Sequence, residues 1–159
     1  MVSDTMDDTP RQSIEHPENI GRAVTLICGP PGAGKTTLGL QLHRTTLDIG
    51  EMPPGTPQER MKLFGRMAWR IGRDRNANVA VIRGAPTESD RTHQQGLCRP
   101  ARTIIMLTDA DECHRRIAAR NRPGVDGRDL AGQHAAVDAW WAAWSASGSH
   151  QVQGTTRQW

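Results

Sequence analysis

The sequence predicts a three-layer α/β sandwich with a mostly parallel sheet, and three observations carry that reading. Short apolar, β-branched runs recur along the chain as "AVTLIC", "NVAVIRG" and "RTIIMLT". A stretch with helical spacing or helix-start signals follows each of them, and strands alternating with helices favour parallel pairing. The first run also ends on a glycine-rich segment, "GPPGAGKTT". Beyond the carboxyl ends of parallel strands is where such sheets bind their ligands.

Taken in order, Ala23–Cys28 is short, apolar and bounded by glycine on both sides, as a buried strand is. Thr36–Arg44 has helix length, with Leu38, Leu40 and Leu42 as its apolar residues. "TTLDIGEM" reads as a short strand ending at the turn "PPGTP". In "PQERMKLFGRMAWRIGRDR" the residues Met61, Phe64, Met67, Ala68 and Ile71 recur at helical spacing, and Arg66, Arg70 and Arg73 fall on a neighbouring stripe. Asn78–Gly84 is a second buried strand. Thr87 and Asp90 have capping-box spacing and open a short helix. Arg102–Thr108 is a third strand, and Asp109 with Glu112 caps a helix over Ala110–Arg120 that stops at "NRPG". The last helix, "DLAGQHAAVDAWWAAW", places Val137, Trp141 and Trp144 on one face.

At 159 residues the chain is expected to form one domain, residues 21–146, between an acidic tail over 1–20 and a loose, polar segment over 147–159. Residues 1–20 carry five acids against one base; beyond them 19 Lys and Arg face 12 acids, a formal charge of +7. That balance suits polyanionic ligands such as nucleotides or nucleic acid, and equally a solvated basic surface. The three cysteines, Cys28, Cys98 and Cys113, form no C-x-x-C pair, so the expectation is small buried thiols in a reducing cytoplasm. No segment approaches the ~20 apolar residues of a membrane span, and no membrane partner is expected.

The chemistry lies in Gly29-Pro30-Pro31-Gly32-Ala33-Gly34-Lys35-Thr36, which fits G-x-x-x-x-G-K-[ST] at every fixed position, with Thr37 following. Glycines at these places let the backbone turn tightly and aim successive N–H groups inward. The following helix adds its N-terminal dipole. Lys35 brings a mobile ammonium to the β- and γ-phosphates, and the Thr36 hydroxyl supplies one oxygen to Mg²⁺. The strand before and the helix after supply the context that this motif requires. It implies a nucleoside triphosphate, ATP, as ligand.

With these residues in place the chain resembles the small P-loop kinases of the nucleotide and polynucleotide kinase group, especially compact members found in bacteriophage genomes. The likeness spans about residues 22–145 and rests on "GPPGAGKTT", on Asp48 after the second strand, and on "DADECHRRIAAR". It implies a P-loop NTPase fold. It also implies transfer of the γ-phosphoryl group to a hydroxyl or phosphate acceptor, a nucleotide or nucleic-acid 5′ end. In that group an aspartate after the second strand faces the acceptor hydroxyl, and an R-x-x-x-R lid closes over the donor phosphates. Those positions are Asp48 and the pair Arg116/Arg120.

Read from the residues alone, Asp48 is either a base or metal-side acid or an ordinary strand-end acid, and Glu51 competes with it. Arg116 and Arg120 share a helix face at i, i+4, as lid arginines or as a solvated face paired with Asp111 or Glu112. An acid would hold Mg²⁺ at the end of "NVAVIRG" in motors and switches, but Arg83 stands there. Either the metal relies on Thr36 and another acid, or Arg83 grips a substrate phosphate, or the chain binds nucleotide without catalysis; an arginine at a strand end is otherwise half-exposed and paired. The tryptophans either stack on a base or pack the core. A non-catalytic nucleotide-binding protein is thus the second expectation.

Overall fold

The computed structural model describes residues 22–120, 129–144 and 151–153. The elements in chain order are β1 (Ala23–Cys28), α1 (Lys35–Leu42), β2 (Thr46–Asp48), α2 (Pro57–Arg73), β3 (Asn78–Arg83), α3 (Glu88–Cys98), β4 (Arg102–Met106), α4 (Ala110–Arg120), α5 (Leu130–Ala143) and β5 (Gln151–Gln153). A 3-10 turn, Ile49–Glu51, follows β2. The sheet order is β2-β3-β1-β4-β5, and every pairing is parallel.

Period-two alternation along the central strands divides the core between the two faces of the sheet. Leu26 and Cys28 of β1, with Val79 and Val81 of β3, face Phe64 and Ala68 of α2 and Cys98 of α3. Ile27 and Ala80 turn to the other side, against Leu38, Cys113, Ile117 and Val137 from α1, α4 and α5. α2 and α3 both start on complete capping boxes, Thr56 with Glu59 and Thr87 with Asp90. The carboxylate of Asp109 accepts from the Glu112 amide and opens α4. α4 and α5 lie side by side, tied by His114, which contacts both His134 and Asp138.

At the opposite end of the sheet from the glycine-rich run, Arg22 fastens two helices. Its guanidinium donates to the carbonyls of Ile71 and Asp74 where α2 ends, and to those of Cys98 and Arg99 where α3 ends.

Four details differ from the sequence reading. Leu40 and Leu42 are exposed, because only Leu38 of the three leucines faces the sheet. Met61 and Met67 are exposed too, since the buried line of α2 runs Phe64, Ala68, Gly72. In α5 the buried line is Gln133, Val137, Trp140 in place of a Val137, Trp141, Trp144 face. The indole of Trp140 is drawn inward because its N–H finds the Gly84 carbonyl at 2.8 Å, while Trp141 and Trp144 pack around it half-buried. Finally, within the segment 147–159 the backbone of Gln151–Gln153 forms an edge strand on β4. The acidic segment 1–20 and the "NRPG" stop lie outside the described residues.

Candidate functional site

The site forms where β1, the central strand, gives way to α1. Gly29 leaves the strand with its amide bonded to the Gly84 carbonyl at the end of β3, 3.2 Å away. The loop then turns back on itself, with the Ala33 amide donating to the Pro30 carbonyl. Two residues adopt positive φ, Gly32 at 80° and Gly34 at 97°, a region that a side chain makes costly. Thr108, fully buried at the end of β4, donates its hydroxyl to the Ala33 carbonyl and fixes the loop from the other side.

α1 begins without a side-chain cap and with no acid in its first turn. The other described helices start on Thr56, Thr87, Asp109 and Asp129, whose side chains accept from their first amides. At α1 the amides and the positive end of the helix dipole are left to an anion. The Lys35 ammonium folds over the loop, 2.8 Å from both the Gly29 and the Pro30 carbonyl oxygens. Thr37, next in the helix, is exposed.

The Thr36 hydroxyl donates to Asp48 Oδ2 at 3.2 Å. Asp48 ends β2 and is 6% exposed, and its Oδ1 accepts from the Gly50 amide. A hydroxyl and a carboxylate side by side are hard oxygen donors of the kind Mg²⁺ takes. Those oxygens, next to an uncapped helix start, fit Mg²⁺ with a triphosphate. Glu51 is exposed, its nearest partner the Thr46 hydroxyl at 3.4 Å. Among the described residues no group of three or more His, Cys, Asp or Glu side chains is placed to hold a metal ion.

Arg83 stands at the end of β3, in register with Cys28 of β1. Its guanidinium lies 5.0 Å from the centre of the Phe64 ring and donates to Met61 Sδ. Its Nε is buried without a partner. Burial pulls its pKa down, against the neighbouring Cys28, Asp90 and Asp48. The strand end is thus cationic, and the nearest acid to Thr36 comes from β2.

The two arginines of α4 expected to form a lid part company. Arg116 reaches the loop: its Nη1 donates to the carbonyls of Gly32 and Ala33, its Nε to Glu112, and its Nη2 is buried without a partner. Arg120 turns to α5 and donates to Gln133 Oε1. Glu112 also pairs with the exposed Arg115.

Three residues around the site take positions that their spacing does not reveal. Arg60 donates to the Ile49 carbonyl from α2. Arg91 is fully buried, donating to the Ala85 carbonyl beneath the Trp144 ring. Trp140 shares the Gly84 carbonyl with the first residue of the loop. The spacing of each is compatible with a solvated or packed helix face, and only the tertiary contacts separate them. Burial raises the thiols of Cys28 and Cys98 to about 12 and that of Cys113 to about 11, which removes them as nucleophiles near neutral pH. No described helix is long and apolar enough to cross a membrane.

A five-stranded parallel sheet in this order, with a glycine-rich loop leading from its central strand into a helix, is a P-loop fold. Solved structures share it, among them the following three. A gluconokinase from Sinorhizobium meliloti 1021 superposes with a TM-score of 0.61 at 13% identity, over 86% of this chain and 83% of its own. A sugar kinase from Janibacter sp. HTCC2649 gives 0.58 at 14% identity, over 86% and 87%. The shikimate kinase of Bacteroides thetaiotaomicron gives 0.53 at 21% identity, over 76% and 78%. No protein-family model and no curated protein sequence matches the chain.

Proposed function

We propose that this protein is an ATP-dependent phosphotransferase whose acceptor offers a hydroxyl beside an anionic group. The observation that carries the proposal is the pairing of two strand ends next to the loop: buried Asp48 bonded to Thr36, and cationic Arg83 on the neighbouring strand. The loop amides and Lys35 would hold the β- and γ-phosphates, and the Thr36 hydroxyl would supply an oxygen to Mg²⁺. The metal supplies charge neutralisation between the phosphates. Asp48 orients the acceptor hydroxyl and takes its proton as the γ-phosphoryl group passes from ATP, leaving ADP. Arg83 receives the anionic group of the acceptor. Arg116, already on the loop, steadies the oxygens of the phosphoryl group in flight. The lid role falls to Arg116 ahead of Arg120.

A nucleotide or a nucleic-acid 5′ end meets this description and agrees with the basic balance of the chain. A sugar acid or another hydroxy acid meets it as well, and the likeness to a gluconokinase and a shikimate kinase favours that second reading. ADP release, screened over gluconate, shikimate, nucleosides, nucleoside monophosphates and 5′-hydroxyl oligonucleotides, separates the two. Thermal shift with ATP–Mg²⁺ tests the cradle itself: the native chain should be stabilised and Lys35→Ala should not. Equal stabilisation of both overturns the phosphate-cradle reading. Stabilisation by ATP with ADP formed from no acceptor leaves a binding protein without catalysis.

A further inference from the structure

Away from the loop, the outward face of α2 carries an arrangement that nucleotide chemistry at β1 does not use. Trp69 is 51% exposed at mid-surface. It borders a cleft of about 520 Å³ between α2 and α3, with Gly65 and Leu97 as apolar lining and Lys62, Arg66 and Arg70 as rim. Gly65, one turn before Trp69, has open space where a Cβ would stand. Arg73, one turn after it, lays its guanidinium 4.4 Å from the centre of the indole ring. The tryptophan is therefore covered on one side and beside an empty slot on the other.

Arg73 leads into a second cleft of about 690 Å³, where Arg75, Arg99 and Arg102 converge. From residue 62 to 75 five bases face the single acid Asp74, and the α3 end adds Arg99 and Arg102 with no acid nearby in sequence. None of Lys62, Arg66, Arg70, Arg75, Arg99 or Arg102 pairs with a carboxylate among the described residues. So many like charges without counter-charges repel one another, and a polyanion removes that cost.

We propose that this face binds single-stranded nucleic acid, with one base stacked on Trp69 in the Gly65 slot and the phosphates running along Lys62, Arg66 and Arg70 toward Arg75, Arg99 and Arg102. A positive groove tracking a backbone beside an aromatic platform is how strands are held without sequence preference. A duplex keeps its base faces stacked inside and would leave the indole unmatched. The inference is independent of phosphoryl transfer at the loop.

The test is fluorescence polarisation of a labelled oligothymidylate against the full chain, beside a duplex of equal length, from about 50 to 200 mM salt. The single strand should bind more tightly than the duplex and quench tryptophan emission. Trp69→Ala should weaken it roughly 5- to 100-fold with the salt slope kept, and Trp69→Phe should restore most of the loss. The double variant Arg66→Glu/Arg70→Glu should weaken it more than tenfold and flatten the salt slope. These residues are exposed, so melting temperatures should not fall and the ATP–Mg²⁺ shift should stay unchanged in every variant. That control separates a failure here from a failure of the phosphate loop. No binding of the strand at low salt overturns the proposal. Equal binding of duplex and strand with Trp69→Ala silent overturns it too, as does stronger binding of an acidic polypeptide.

Discussion

Placing a methyl group on Gly32 tests the loop conformation directly. Gly32 has φ 80°, and an alanine held there costs about 1–2 kcal/mol. Its Cβ would also stand 3.0 Å from the Cys113 carbonyl oxygen and 3.3 Å from Ile117 Cγ1. The oxygen belongs to the backbone of α4 and does not yield as a side-chain end would. The loop must therefore back away by a few tenths of an ångström, and overpacking of this kind adds about 1–2 kcal/mol. A total of about 2–4 kcal/mol corresponds to a fall of roughly 5–15 °C in melting temperature for a domain of this size. The same retreat carries the Gly32 carbonyl away from Arg116 and misaligns the amides, so stabilisation by ATP–Mg²⁺ should shrink in the same melting assay. Gly96→Ala is the matched control, since its Cβ meets nothing within 4 Å inside α3. It should raise stability by about 0.5–1 kcal/mol and leave the ATP response intact. Should Gly32→Ala melt with the native chain and respond fully to ATP, the loop described above is not the one in solution.

Other expected outcomes follow from the same geometry. Asp48→Asn should keep the ATP-dependent thermal shift yet lower phosphoryl transfer about 100-fold or more, while exposed Glu51→Gln has no effect; the reverse pattern in a transfer assay reassigns the acid. Arg116→Ala should cut turnover by at least about tenfold with poor rescue by lysine, because an ammonium cannot donate to the loop and to Glu112 at once as Nη1 and Nε of the planar guanidinium do. Arg120→Ala should stay within about twofold, and a larger loss there than at Arg116 in steady-state kinetics would exchange the two roles. The buried thiols make stability pH-dependent on the alkaline side. Their folded pKa values of about 11 to 12 lie above the unfolded 9.0, so the folded chain keeps protons that the unfolded chain has released. Their contribution is complete below pH 9 and is lost as the pH climbs through that interval. Urea midpoints should fall from about pH 9 upward. A midpoint equal at pH 8 and 10.5 would contradict the burial of all three thiols.

Much of this was readable before any coordinates. The apolar runs over β1, β3 and β4 are continuous because both faces of a central parallel strand are covered. Thr87 with Asp90 and Asp109 with Glu112 announce their helices by cap chemistry that is local to four residues. What stayed hidden depends on partners distant in sequence. Gln151–Gln153 has a single apolar residue, Val152, and nothing in its own residues specifies β4 as neighbour. The choice of Trp140 over Trp141 as the buried residue is made by the Gly84 carbonyl, which only the fold brings within reach. The site shows the same division: spacing placed Arg116 and Arg120 on one helix face. It could not tell which would meet the loop, because that is decided by the packing of α4 against Gly32 and of α5 against α4. Arg83 was visible as an anomaly of charge, and its bed on Phe64 was not.

The grip of Arg22 on four carbonyls has a consequence for the order in which the chain assembles. Every one of those contacts spans 49 to 77 residues. α2 and α3 can each form from nearby residues, but both end in the negative pole of a helix dipole, and they end side by side. Until Arg22 docks ahead of β1, four carbonyls of that junction lack the donor they have in the folded chain. Closure of so long a loop comes late and slowly. The first described residue of the chain therefore completes a joint between helices made after it, and the α2–α3 layer reaches its final stability only when the N-terminal strand has docked.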